Sequence, residues 1–149
     1  MMKISIDPGR NGAVAVDFGI GDVITYKCPD TQHEMCELIE ELKGIADHDR
    51  GMKISAVIER VHAMPGQGVT SVWSFSANYA TWQTALICFQ VPFQEVRPQK
   101  WMKEFGMLPK DKKERKHAIK DRMQKQYPQL KVNLINADAL GMLSVFDKL

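Results

Sequence analysis

Three acidic residues, Asp7, Glu59 and Asp138, lie far apart in the chain, each beside an apolar stretch. Ile4–Ser5–Ile6 runs into Asp7, and Pro8–Gly9 then turns the chain into a second apolar run, Ala13 to Val16. A similar run from Ile54 to Ile58 ends on Glu59, and Asp138 falls in the first turn of the last predicted helix. Carboxylates gathered in a partly dry site repel and raise one another's pKa. A divalent cation removes that penalty, and oxygen-only ligation favours Mg²⁺, with Mn²⁺ as a substitute. Two such ions, about 4 Å apart, stabilise the attacking and leaving oxygens in phosphodiester hydrolysis. Each acid also has a plain explanation. Asp7 before Pro-Gly suits a turn, Glu59 has Arg60 beside it, and Asp138 favours a helix N-terminus by about 0.3–1 kcal/mol. The three taken with the element order point instead to a metal-dependent nuclease, with Asp7, Glu59 and Asp138 as metal ligands.

The elements must bring these acids together. Residues 3–6, 13–17 and 23–26 read as short strands joined by the turns Pro8–Gly12 and Gly19–Asp22, an antiparallel meander. Thr31 and Glu34 make a capping box that opens a helix with Met35, Leu38, Ile39 and Leu42 on one face and Gly44 near its end. Residues 54–58 read as a buried strand. A glycine-rich loop, Met64–Pro65–Gly66–Gln67–Gly68, leads to a helix over about 74–89, and 93–96 form a fifth strand. Pro98 starts a short helix through Trp101 and Phe105, a basic helix covers about 111–127 before Pro128, and a final helix covers about 136–146. This order predicts a single α/β domain over residues 1–149 with a mixed five-stranded sheet flanked by helices. Should the first and fourth strands be neighbours, Asp7 and Glu59 meet at their C-terminal ends, and a helix across the sheet delivers Asp138.

The chain has 149 residues, 44% hydrophobic and 26% charged, with a net charge of +2, values of an ordinary globular protein. Charge is uneven: 100–125 is strongly basic and 30–49 mainly acidic. Cys28, Cys36 and Cys88 have no metal-ligand spacing and read as reduced thiols, with Cys88 inside an apolar run. No stretch is long enough to span a membrane, and the first strand begins at once with no room for a signal peptide. The expectation is a cytoplasmic protein, in a bacterial cell or a phage-infected host.

Ile6–Asp7–Pro8–Gly9 with Asn11–Gly12–Ala13–Val14–Ala15 closely resembles the first active-site motif of RuvC-like Holliday junction resolvases. Val57–Ile58–Glu59–Arg60–Val61 is similar to their second motif, and Ala137–Asp138–Ala139–Leu140 to their C-terminal helix motif. The Gly66–Gln67–Gly68 loop, the Trp82 helix, Val96–Arg97–Pro98 with Trp101, and the lysine-rich helix ending at Tyr127–Pro128 follow in the order of phage and chloroplast members. The resemblance covers nearly the whole chain. It implies an RNase H-like fold and a homodimeric, Mg²⁺-dependent endonuclease that nicks two opposed strands of a four-way DNA junction. It implies no nucleotide cofactor; an actin-like ATPase would need a second glycine-rich loop and a second lobe. One departure stands out. Family members carry a fourth metal ligand three or four residues before the last acid, where this chain has Ile135 and Leu134, with Asn133 and Asn136 as the nearest polar groups.

Lys110, Lys112, Lys113, Arg115, Lys116, Lys120 and Arg122 crowd one predicted helix and the loop before it. Alone such a run is a solvated face; beside a phosphodiester site it is a phosphate contact that makes binding salt-dependent. By resemblance, Lys112 or Lys116 approaches the scissile phosphate and stabilises developing charge. His62, three residues beyond Glu59, occupies the place where related resolvases stack an aromatic ring on an opened base. Gln67 suits a base edge, and Arg10 and Lys100 complete the expected DNA contacts. Trp73, Phe75, Tyr79 and Trp82 read as core and dimer contacts.

Overall fold

The structure, a computed structural model, describes residues 1–149 apart from Ile20, Arg50 and Ala63. The expected turn at Gly19–Asp22 therefore includes one residue, Ile20, outside the described set.

Strands β1 (Met2–Asp7), β2 (Ala13–Asp17) and β3 (Val23–Lys27) form the meander, followed by helix α1 (Gln32–His48), strand β4 (Ile54–Glu59) and helix α2 (Val69–Cys88). Strand β5 (Phe93–Val96) precedes helices α3 (Pro98–Lys103), α4 (Lys112–Gln126) and α5 (Ala137–Ser144), and a 3₁₀ turn spans Phe146–Lys148. The sheet order is β3-β2-β1-β4-β5, with β1 parallel to β4, β4 parallel to β5, and the two pairs of the meander antiparallel. Helices cover both faces. Ile4, Ile6, Val14, Val16 and Ile58 pack with Met35, Ile39 and Leu42 of α1 and Trp82 and Leu86 of α2. Ala13, Ala15 and Val57 pack on the opposite face with Trp101, Ile119, Met123 and α5. Burial on both faces is why the central strands read as continuous apolar runs.

Several boundaries differ from those read in the sequence, most by one or two residues. Helix α1 continues through Gly44 to His48, because Ala46 one half-turn on is fully buried and its packing outweighs the glycine's weak propensity. Helix α2 begins at Val69 behind Gly68, five residues before 74, in a first turn whose exposed side chains give no amphipathic signal. The last helix ends at Ser144 and tightens into the 3₁₀ turn. Elsewhere local chemistry works as expected. Thr31 Oγ1 accepts the Glu34 amide and Glu34 Oε2 accepts the Thr31 amide, closing the capping box, while Asp111 caps α4 through the Glu114 amide at 3.0 Å. All three cysteines are free thiols; Cys28 is buried, whereas Cys88, despite its apolar neighbours in sequence, is exposed on α2. Among the described residues no helix is long and apolar enough to cross a membrane.

Candidate metal and nucleic-acid site

Side chains alternate along a strand, so Asp7 shares the face of Ser5 in β1, and Glu59 shares the face of Val57 in β4. The parallel register pairs Ser5 with Val57 and Ile6 with Ile58. One step further, Asp7 stands beside Glu59, both directed to the side where α3, α4 and α5 pack. Glu59 does not pair with Arg60, which belongs to the other face and lies 3.9 Å from Glu95 instead. Its partner is the buried indole of Trp101, whose Nε1 donates to Oε1 at 2.9 Å.

Helix α5 brings Asp138 over this pair. Ser5, fully buried in an otherwise apolar strand, donates to the carbonyl of Ala139 at 2.6 Å and ties β1 to the residue after Asp138. The turn leading into α5 is held by two asparagines. Asn133 Oδ1 accepts the amides of Ile135 and Asn136, and Asn136 accepts the Asn133 amide while donating to Lys131 O and Thr25 Oγ1. Both asparagine oxygens are therefore used inside the turn. Leu134 is 42% exposed and Ile135 half-buried, so this turn supplies no fourth anionic ligand.

The turn after β1 is fixed from the opposite side. Gly9 takes φ +115°, a conformation suited to glycine, and donates its amide to Asn78 Oδ1 of α2 at 2.8 Å. A Cβ at position 9 would stand 2.7 Å from the Phe75 ring. Helix α2 thus sets the exit of the strand that carries Asp7.

All three acids are shifted upward by burial. Asp7 keeps some accessible surface, yet burial holds its carboxyl well above the usual range, followed by repulsion from Glu59 and Asp138. Glu59 is also raised by burial, with the Trp101 hydrogen bond opposing, and Asp138 is raised by burial against the pull of Lys116, Arg115 and Lys112. Among the described residues, no three His, Cys, Asp or Glu side chains already stand close enough together to hold a metal ion. The acids converge on one region, but their carboxylates are not drawn into a closed ligand set. A hard, charge-neutralising cation suits this donor chemistry: largely buried carboxylate oxygens, with Asp7 repelled by the other two acids.

Of the two lysines singled out at the start of α4, Lys116 lies nearer the acids, with Nζ 4.0 Å from Asp138 Oδ2. Lys112, one turn earlier on the same face, also acts on Asp138 at longer range. Lys110 and Lys113 are exposed beside them. On the Glu59 side, Arg60, His62, Arg97, Gln99 and Lys100 line a cleft of about 690 Å³. Arg60 and Arg97 had not been singled out from the sequence as DNA contacts, although each immediately follows the end of a parallel strand, where ligand clefts form. Lys100 is partly engaged, donating to the Leu149 carbonyl at 2.8 Å. Gln67 is turned inward to its own loop, accepting the Met64 amide at 2.8 Å, which leaves its amide group for other contacts. Arg10 is exposed on the turn after Asp7. Of the aromatics read as core and dimer contacts, Trp82 is fully buried in the core and Trp73 is 78% exposed.

This sheet, with helices on both faces and acids at the C-terminal ends of adjacent parallel strands, is an RNase H-like fold. Its solved structural neighbours are RuvC Holliday junction resolvases. A Thermus thermophilus RuvC structure matches with a TM-score of 0.54 and 15% identity over 95% of this chain and 90% of that one. T. thermophilus RuvC in complex with Holliday junction substrate matches with a TM-score of 0.55 and 12% identity over 95% of this chain and 88% of that one. At such identities the likeness is one of fold. No family model and no curated protein matches the sequence.

Proposed function

We propose that this protein is a Mg²⁺-dependent endonuclease that resolves four-way DNA junctions by paired, symmetrical nicks. The observation that carries this reading is the convergence of Asp7, Glu59 and Asp138, from β1, β4 and α5, on one buried region, with Trp101 Nε1 2.9 Å from Glu59 Oε1 and Lys116 4.0 Å from Asp138. Such a group has no structural purpose that an apolar trio would not serve better, because buried like charges cost stability.

Asp7, Glu59 and Asp138 are the residues that would hold the cation. When bound, it would supply Lewis acidity and a water nucleophile at neutral pH. The chain's own groups do the rest. Trp101 keeps Glu59 oriented, and Lys116 meets charge that develops on the scissile phosphate. Arg60, Arg97, Lys100 and His62 hold the backbone on one side of the acids, and Lys110, Lys112 and Lys113 hold it on the other, fixing register without reading sequence. A second copy of the chain would dock through α2, where Val69, Trp73, Ala80 and Ile87 form one exposed stripe at helical spacing. A two-fold pair of such sites matches the two opposed strands of a junction.

A second reading is a junction-binding protein with little cutting. The open acid group and the apolar Leu134 and Ile135 favour it. Incubation of end-labelled four-way junction, RNA–DNA hybrid and linear duplex with Mg²⁺ separates the two. The nuclease reading expects cutting of the junction far above the others. Binding of the junction with no cutting at any Mg²⁺ concentration supports the second, and preference for the hybrid makes the protein a different RNase H-like nuclease.

A further inference from the structure

The indole of Trp101 is fully buried beneath the acids, and its Nε1 donates to Glu59 Oε1 at 2.9 Å. A buried tryptophan in this protein does not automatically find such a partner. Trp82, equally buried on the other face of the sheet, gives its Nε1 no oxygen or nitrogen acceptor among the described residues. The Trp101 ring is clamped in place. Phe105 meets it edge-on, with centroids 5.6 Å apart and planes at 74°. Gly141 of α5 lies against it so closely that a Cβ there would stand 2.8 Å from Trp101 Cζ3 and 3.3 Å from Phe105 Cζ. Glycine weakens a helix interior, so its position here reflects the ring it must admit. Gly141 follows Asp138 by three residues and shares its side of α5. One rigid ring therefore touches the acid of β4 and the helix that carries the acid of α5.

We propose that Trp101 is a positioning residue for the metal centre: it occupies one oxygen of Glu59, leaves the other for a divalent cation, and sets the spacing between Glu59 and Asp138 through Gly141. This rests on the reading of the acids as a metal-dependent nuclease centre. A free glutamate swings about several side-chain bonds. A hydrogen bond from a neutral donor to the ionised carboxylate fixes its rotation at little conformational cost to the cation. Removing an outer partner of a metal ligand typically weakens metal affinity by about 10- to 100-fold.

Trp101→Phe retains most of the ring and deletes the donor. Replacement of the indole by a benzothiophene side chain, sulfur in place of N–H, retains nearly the whole shape and serves should the phenylalanine variant fold poorly. Mn²⁺ binding is read by electron paramagnetic resonance on the purified protein, beside Glu59→Gln as a ligand knock-out. Junction affinity is measured in metal-free buffer. The expected result is a rise of about 10-fold or more in the Mn²⁺ dissociation constant for either tryptophan replacement, with metal-free junction affinity unchanged. Wild-type Mn²⁺ affinity in a folded variant, alongside loss of binding in Glu59→Gln, overturns the role of Trp101 and leaves the nuclease reading intact. A wild-type protein that binds no Mn²⁺ removes the nuclease reading and this proposal together.

Discussion

Asp7 and Glu59 are proposed ligands of one cation and both are shifted upward by burial, so pH and metal should act on the same groups. Both carboxyls, and that of Asp138, are raised in the folded protein by burial. A group raised on folding lends its full stability below its unfolded pKa and loses it as pH climbs through the folded value. The metal-free protein should therefore melt at a lower temperature near pH 8 than near pH 5, and Mg²⁺ should raise the melting temperature more at the higher pH. Thermal melts with EDTA and with Mg²⁺ check this; Asp7→Asn should flatten the pH dependence. Lys116→Ala should lower the cutting rate by about 100-fold or more at saturating junction, and Lys112→Ala by much less, read in single-turnover assays. At this scale the sequence was informative about the acids, because each ends or opens an apolar element. It was silent on Ser5 and Trp101 as supports. Ser5 stands out only as a polar residue between Ile4 and Ile6, and nothing local reveals that its acceptor lies 134 positions away on α5.

The elements that carry the acids were legible where period and punctuation agree. Strands β1 to β4 have continuous or alternating apolar runs bounded by glycine or acid, and α1 and α4 carry side-chain caps. The start of α2 was not legible, since Val69 and Trp73 face outward and Gly68 caps without a side chain. Its contribution to the site was hidden for the same reason: Asn78 looks like a polar residue in a helix until its Oδ1 is found on the Gly9 amide. Asn78→Ala should leave that buried amide unpaired and lower unfolding free energy by about 1–3 kcal/mol in urea titrations. A larger loss of cutting than of junction binding is expected with it, because the strand exit behind Asp7 loosens while the DNA-facing cations remain.

For the whole molecule, net charge is a poor guide and placement is the better one. A net charge of +2 conceals two groups of cations, those of α4 beside Asp138 and those lining the cleft around Arg60 and Arg97. Junction affinity should fall with salt at a log–log slope of about −0.9 per phosphate neutralised, and Arg60→Ala with Arg97→Ala should flatten it measurably. The exposed stripe of α2 makes a second whole-molecule test. If a second copy docks on this stripe as proposed, wild type should be dimeric in light scattering, and Trp73→Glu should be monomeric and lose paired nicking while the metal-free melting temperature holds. The central claim, that acids from three distant elements act as one metal centre on DNA, is met most directly by a single assay. A four-way junction with a fixed crossover, labelled on each strand in turn, is incubated with Mg²⁺ and wild-type or Asp7→Asn protein. Symmetrical nicks on two opposed strands by the wild type alone, with both proteins retaining the junction, are the expected result; an uncut junction, or equal cutting by Asp7→Asn, contradicts the account.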